Sequence, residues 1–342
     1  MSLSATQRLD DAFDATRALL LPFDAGTWVR LAFMAFFVGG LGGGLGGSSN
    51  VSGGGGDVDA GGVPPLGQLF EGFRGLFDTR VGILAVGLVV VALLLGILFA
   101  YVASVMEFVF VEALVTGEPV VRERFSARRW QGTRLFGFRV ALFLLVAVLV
   151  AGAVALGILL QGPGIRVLAL VFAIPVLAIA GLVAAVINGF TTVFVVPIML
   201  EERCGVLEGW RQLRPSIRGQ LDEFGVYLLL SVVLGAIGGT FVATVVGIVG
   251  IVLFLPVGLL GFAALFAGGG PALLLLVPVV FVVLLALAAI GAVVSVPVVT
   301  YLRYYALYVL GDTTEYDLLG GGFDRGDDRD TGAGETGYET PS

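Results

Sequence analysis

No charged residue interrupts the 79 positions from Phe224 to Leu302. A soluble core needs no such run. A bilayer does, because its hydrocarbon core is about 30 Å thick and takes roughly 20 apolar residues to cross as a helix. Four more apolar segments precede this run. Each polar backbone group in lipid must find a partner within the protein, and a helix supplies that partner itself. The chain is 58% hydrophobic and 13% charged, about half the charge of a typical soluble domain. The expected fold class is therefore all-α: a polytopic membrane helical bundle.

Six spans are expected, at about 28–47, 81–104, 136–160, 167–196, 224–249 and 272–302. Gly250–Pro271 divides the last two. It holds Pro256, Gly258, Gly261 and Gly268–Gly270, and is expected to be re-entrant or packed against the bundle. Ser2–Phe23 carries Asp10, Asp11, Asp14 and Arg17 and has no basic-then-apolar plan, so it does not read as a secretory signal. Leu9, Phe13, Thr16 and Leu20 recur there at helical spacing, which predicts an amphipathic helix on the membrane face.

Internal similarity groups the spans. "FVEALVTGE" (Phe110–Glu118) aligns without a gap on "YYALYVLGD" (Tyr304–Asp312), and "FVVPIMLEERCG" (Phe194–Gly205) is a looser copy. "ARRWQGTRLFGFRVALFLL" (Ala127–Leu145) shares its plan with "LRPSIRGQLDEFGVYLLL" (Leu213–Leu230): Arg-rich, then Phe-Gly, then apolar. This predicts three hairpin units with interfacial amphipathic helices, at about 5–118, 119–204 and 205–311. A Gly-rich outer loop is expected at 48–65. Asp312–Ser342 has nine acidic residues against two arginines and so carries the whole net charge of −7; a disordered cytoplasmic tail is expected there.

Placing the N-terminus inside puts sixteen arginines on the inner side and three (Arg74, Arg80, Arg166) outside. That bias orients the bundle with both termini cytoplasmic, in the cell (plasma) membrane.

The chain has no histidine and no lysine, and one cysteine, Cys204. This excludes Ser-His-Asp and Cys-His nucleophile units, the P-loop lysine, Schiff bases, His ligation of zinc or haem, internal disulfides and iron–sulfur clusters. No catalytic residue, cofactor or metal set is expected. A nucleic-acid partner is not expected either, since no basic module exists. Cys204 reads as an inert thiol. Gly42–Gly47 satisfies G-x-G-x-x-G, but a span precedes it and no strand does, so it reads as the Gly-faced end of that span.

A few polar residues stand out against the apolar background. Glu107 and Glu112 lie near the inner end of the second span, where ionisable groups are costly. The repeat alignment puts Arg303 at nearly the depth of Glu107, which predicts a Glu107–Arg303 pair tying the first unit to the last. Asn188 is the lone amide of the fourth span and is expected to bond between helices. Arg122, Arg124, Arg128 and Arg129, beside Trp130, are candidates for anionic headgroups. Trp210 is a second interfacial anchor. Asn50-Val51-Ser52 is an N-glycosylation sequon on the outer side, so Asn50 is a glycosylation candidate. Leu310-Gly311-Asp312 lacks the first glycine of an aspartyl-protease G-x-G-D and has no partner Asp within a span.

"VVTYLRYYALYVLGDT" (Val298–Thr313), "MLEERCGVLEGWRQLRP" (Met199–Pro215) and the Lys-free, acid-tailed composition resemble an uncharacterised haloarchaeal family of multi-pass membrane proteins, a domain of unknown function, over most of the chain. Over roughly Val120–Asp312 the pattern is also similar to the membrane domain accompanying some bacterial glycerophosphodiester phosphodiesterases. The phosphodiesterase catalytic domain is absent, and its site includes histidines, so the resemblance implies a membrane fold without hydrolysis. The expected function is a non-enzymatic, envelope-organising or accessory role in the bilayer. The alternative is a small-solute or amphiphile permease or exporter.

Overall fold

The computed structural model describes residues 4–41, 80–159, 163–266, 270–314, 316 and 318–319. These residues are all-helical or irregular. A short helix α1 (Ser4–Leu20) leads to α2 (Ala25–Ala35), which widens into a π-helical segment, Phe36–Leu41. Then come α3 (Arg80–Thr116), α4 (Val121–Leu159) and α5 (Pro163–Phe190), followed by a second π-helical segment, Thr191–Val195, and α6 (Val196–Glu202). α7 (Val206–Gly219), α8 (Leu221–Phe266) and α9 (Gly270–Thr313) complete the chain.

Five helical stretches are long and apolar enough to cross a membrane: Val86–Thr116, Val121–Gly157, Val171–Glu202, Leu221–Ala263 and Leu276–Thr313. The first expected span is helical from Ala25 to Leu41; the remainder of it, with the Gly42–Gly47 motif, Asn50 and the 48–65 loop, lies outside the described residues.

The long helices run antiparallel, and their buried residues cluster at one end, called here the packed end. On α3 it is Ala103–Leu114 that is buried, while Leu88–Leu98 are exposed. On α9 the buried residues are Val296, Thr300, Arg303–Leu307, Val309 and Leu310, while most of Val277–Leu285 is exposed. α8 buries Phe224 and Tyr227 near its start, α4 buries Leu135, and the segment after α5 buries Thr191–Leu200 except Val193. Asp24 caps α2 by accepting from the Thr27 backbone N–H at 2.7 Å, which holds its carboxyl below the usual range.

Three expectations change. First, the helix is not interrupted or re-entrant within Gly250–Phe266, and of the two expectations it is packing against the bundle that holds there. α8 runs on through Gly250, Pro256, Gly258 and Gly261, and α9 resumes at Gly270. A Cβ placed on Gly250 would touch Leu287, and one on Gly261 would touch Leu276. Gly291 faces Val246 and Gly238 faces Val298 in the same way. Each step up α8 is matched by a step down α9, so the two form one long antiparallel hairpin. Glycine and proline do not break helices readily where no water competes for the freed backbone.

Second, the Arg-rich stretch from Ala127 is not a separate interfacial helix. It is continuous with its span in α4. By contrast, the amphipathic α7 does end before α8 begins, at Gln220. Third, Asp312 does not open the tail. It belongs to the last turn of α9, and Arg8 grips it through Nε at 2.7 Å and Nη2 at 2.6 Å. These bonds, with one to Asp11, push the Arg8 guanidinium up. α1 therefore packs on α9 through Ala12, Thr16 and Leu20, and Phe13 points outward. Residues beyond 319 lie outside the described set.

Candidate functional site

Glu107 is fully buried on α3. In lipid a lone carboxylate would be prohibitive, and the packed end surrounds it with donors. Its Oε2 accepts from Arg303 Nη2 of α9, and its Oε1 accepts from Arg139 Nη2 of α4 at 3.2 Å. Arg139 also donates to Ser104 Oγ at 3.2 Å and to Thr192 Oγ1 at 2.9 Å. Arg303 Nη1 donates to the Thr192 carbonyl at 2.8 Å. Two segments, α4 and α9, thus meet on one α3 carboxylate, and the Thr191–Val195 turn joins them through both arginines. The π-helical turn at Thr191–Val195 supplies both Thr192 acceptors, its carbonyl and its hydroxyl. Thr191 next door accepts from Trp210 Nε1 at 2.9 Å, which docks α7.

A second cluster lies nearer the helix ends. Glu112 accepts from Arg128 Nε at 2.9 Å and sits 3.8 Å from Arg124. Gln131 donates to the Met199 carbonyl at 2.7 Å, and Tyr304 to the Leu114 carbonyl at 2.9 Å. Arg124 and Arg128 are therefore turned inward, away from the headgroup role expected of them. Arg122, Arg129 and Trp130 remain exposed, and Arg134 stacks over the Trp130 ring at 5.4 Å.

Asn188 does not make the expected interhelical bond through its side-chain oxygen, which is buried without a hydrogen-bond partner. Its backbone carbonyl instead accepts from Thr192 Oγ1 at 2.8 Å. Burial pushes the Cys204 thiol up, which reduces the reactive thiolate. Among the described residues no group of three His, Cys, Asp or Glu side chains could hold a metal ion.

Beside the ion cluster lies a cavity of about 490 Å³, within the size range of small-molecule sites. Both π-helical segments border it with the helix ends that lead into them, Ala35 and Gly189–Phe190, and α8 and α9 form the rest of its wall. Arg303, Thr192, Tyr227 and Ser231 line it at the packed end. Val246, Leu287 and Ala288 line it farther along the hairpin. Ala243 also lines it and is exposed, so the cavity reaches the bundle surface. Aromatic rings brace the packed-end wall: Phe194 and Tyr227 meet edge to face at 4.8 Å, and Tyr227 stacks on Tyr305 at 5.4 Å.

A family of unknown function, DUF7544, matches residues 3–319. The chain belongs to that family. The match spans both the ion cluster and the cavity walls, so both lie within the family's common region. No curated protein matches the chain, and no solved structure does.

Sequence reasoning brought Glu107 and Arg303 forward together, and the structure pairs them. It did not single out Arg139, Ser104 or Thr192. Arg139 had a signal: it is the last charge before twenty uncharged residues, Val140–Leu159. Thr191-Thr192 had one as well, as a hydroxyl pair inside an apolar span.

Proposed function

We propose that this family member is a non-enzymatic, multi-pass protein of the plasma membrane, with both termini cytoplasmic and an accessory role in organising the envelope. The observation that carries this reading is the use of the charged groups inside the bundle. Glu107, Glu112, Arg124, Arg128, Arg139 and Arg303 bond one another and so hold helices together. The arginine bias supports the orientation. The antiparallel α8–α9 hairpin and the pairing of α4 with α5 support the threefold hairpin repeat. The Lys-free composition supports the haloarchaeal likeness; the likeness to the phosphodiesterase-linked membrane domain rests on the Arg/Trp helices alone.

The test combines topology and transport. A reporter fused after Ser342 is expected on the cytoplasmic side, and purified protein in proteoliposomes is expected to pass no solute. A reporter outside contradicts the orientation. Sustained flux of a solute contradicts the accessory role and favours the second reading, a permease or exporter, for which the cavity speaks.

A further inference from the structure

The cavity has a polarity gradient along its length. Its packed end carries the Arg303 guanidinium, 8% exposed, together with the Thr192, Tyr227 and Ser231 side chains. Its other end, about 24 Å away between Arg303 and Leu287 at helical rise, is lined by aliphatic side chains and Ala288. The distance is most of a hydrocarbon core's thickness. Arg303 donates to Glu107 and to the Thr192 carbonyl, which uses two of the five N–H donors of a guanidinium. Both bonds come from its Nη atoms, and the residue also borders the cavity. The face of α8 turned away from the cavity is apolar and exposed, with Ile237, Phe241 and Ile248 as examples. Only an occupant with a hydrocarbon chain matches both the far wall and the surroundings. An anionic head suits the near wall, because Arg139 and Arg303 share the single carboxylate of Glu107 and a guanidinium in a low-dielectric site binds an oxyanion through charge-assisted bonds.

We propose that this cavity binds a membrane amphiphile with an anionic head, held at Arg303, and a hydrocarbon chain lying between α8 and α9 toward Leu287. Both π-helical segments line it, consistent with the concentration of such turns at binding sites. The site goes beyond the accessory role. Binding without flux keeps both readings, and flux would remove the accessory role while leaving the site in place.

The test titrates the full chain, in an uncharged detergent, with three probes followed by calorimetry. Hexadecyl phosphate has head and chain, hexadecanol has the chain alone, and inorganic phosphate has the head alone. Hexadecyl phosphate is expected to bind at least about tenfold more tightly than hexadecanol, the return on one charge-assisted contact. Inorganic phosphate is expected to show no saturable binding. Ala288→Phe fills the aliphatic end without touching the ion cluster, and is expected to weaken hexadecyl phosphate by at least about tenfold. Arg303→Gln, where its helical circular dichroism matches the parent, is expected to erase the preference for the phosphate head. Equal binding of hexadecanol and hexadecyl phosphate would overturn the role of the head. Unchanged binding in Ala288→Phe would place the amphiphile elsewhere and overturn the site. Phosphate binding as tightly as hexadecyl phosphate would overturn the role of the chain.

Discussion

The two ends of the long helices obey different rules. At the packed end, side chains of α3, α4, α9 and the Thr191–Val195 turn converge on Glu107, and glycines bring backbones together. A Cβ on Gly132 would run into Val105, and one on Gly209 would lie 2.7 Å from Val195. Toward the opposite end, Leu88–Leu98, Phe143–Gly157 and Val171–Val183 are largely exposed, and a Cβ on Gly87, Gly96 or Gly152 would meet nothing within 4 Å. Lipid explains the contrast. Between helices in hydrocarbon there is no hydrophobic driving force, so close backbone approach and buried polar bonds must supply the association. The buried polar bonds are concentrated at one end, and beyond it glycine contacts continue only along the α8–α9 hairpin among the described residues.

The largest effect that sharpens this comparison belongs to Glu107→Gln. It leaves two arginines facing a neutral amide in a buried site, and the expected loss is about 3–5 kcal/mol of stability. Leu94→Ala, on the exposed half of the same helix, is expected within about 0.5 kcal/mol of the parent. Thermal unfolding in detergent, followed by tryptophan fluorescence, reads both. Similar melting temperatures for the two variants would erase the distinction between the ends.

Next comes overpacking. Gly132→Leu forces a side chain into Val105 and is expected to cost about 1–3 kcal/mol, whereas Gly96→Leu enters open space and is expected to be neutral. The same melts decide it, and a neutral Gly132→Leu would show that α3 and α4 do not pack as closely as described. Thr192→Val removes a hydroxyl that accepts from Arg139 but keeps the shape, with an expected loss of about 1 kcal/mol. A loss as large as that of Glu107→Gln would mean that the threonine, and not the carboxylate, organises the cluster.

The smallest effects belong to the outlying contacts. Asp312→Asn breaks the pair with Arg8, which is partly solvated, and is expected to cost at most about 1 kcal/mol and to matter less at high salt. Asp24 adds a pH effect with a definite sign. Its folded pKa is lowered by the Thr27 backbone bond, so its contribution is present above the ordinary carboxylate value of about 3.9 and is lost as pH falls through the lowered folded value. A circular-dichroism titration of parent and Asp24→Ala is expected to converge at acid pH. A gap that persists there would assign the cap's effect to something other than the charge.

The class of the fold was legible because hydrocarbon demands long uncharged runs, and Phe224–Leu302 has no other use. Helix ends were less legible. A helix that is apolar all round carries no periodic stripe, so nothing in Gly250–Phe266 distinguished a continued α8 from a re-entrant turn, and proline and glycine misled there because lipid tolerates them. Within the site, Glu107 and Arg303 were legible through the internal repeat, which set them at one depth. Thr192 was legible only in part: its hydroxyl, which accepts from Arg139, shows in residue type, whereas its carbonyl, which accepts from Arg303, depends on a local helical register that leaves no trace there. The cavity was silent for a related reason: small residues such as Ala288 and Gly291 line it, and in a membrane helix they read equally as packing surface.

The central claim is that a buried carboxylate joins α3 to α9 at the packed end. A double-mutant cycle on Glu107→Gln and Arg303→Gln, read by reversible unfolding in detergent, tests it most directly. A coupling of at least about 1 kcal/mol between the two changes is predicted, within the range for residues in one network. Additive losses, with no coupling beyond about 0.3–0.5 kcal/mol, would contradict it.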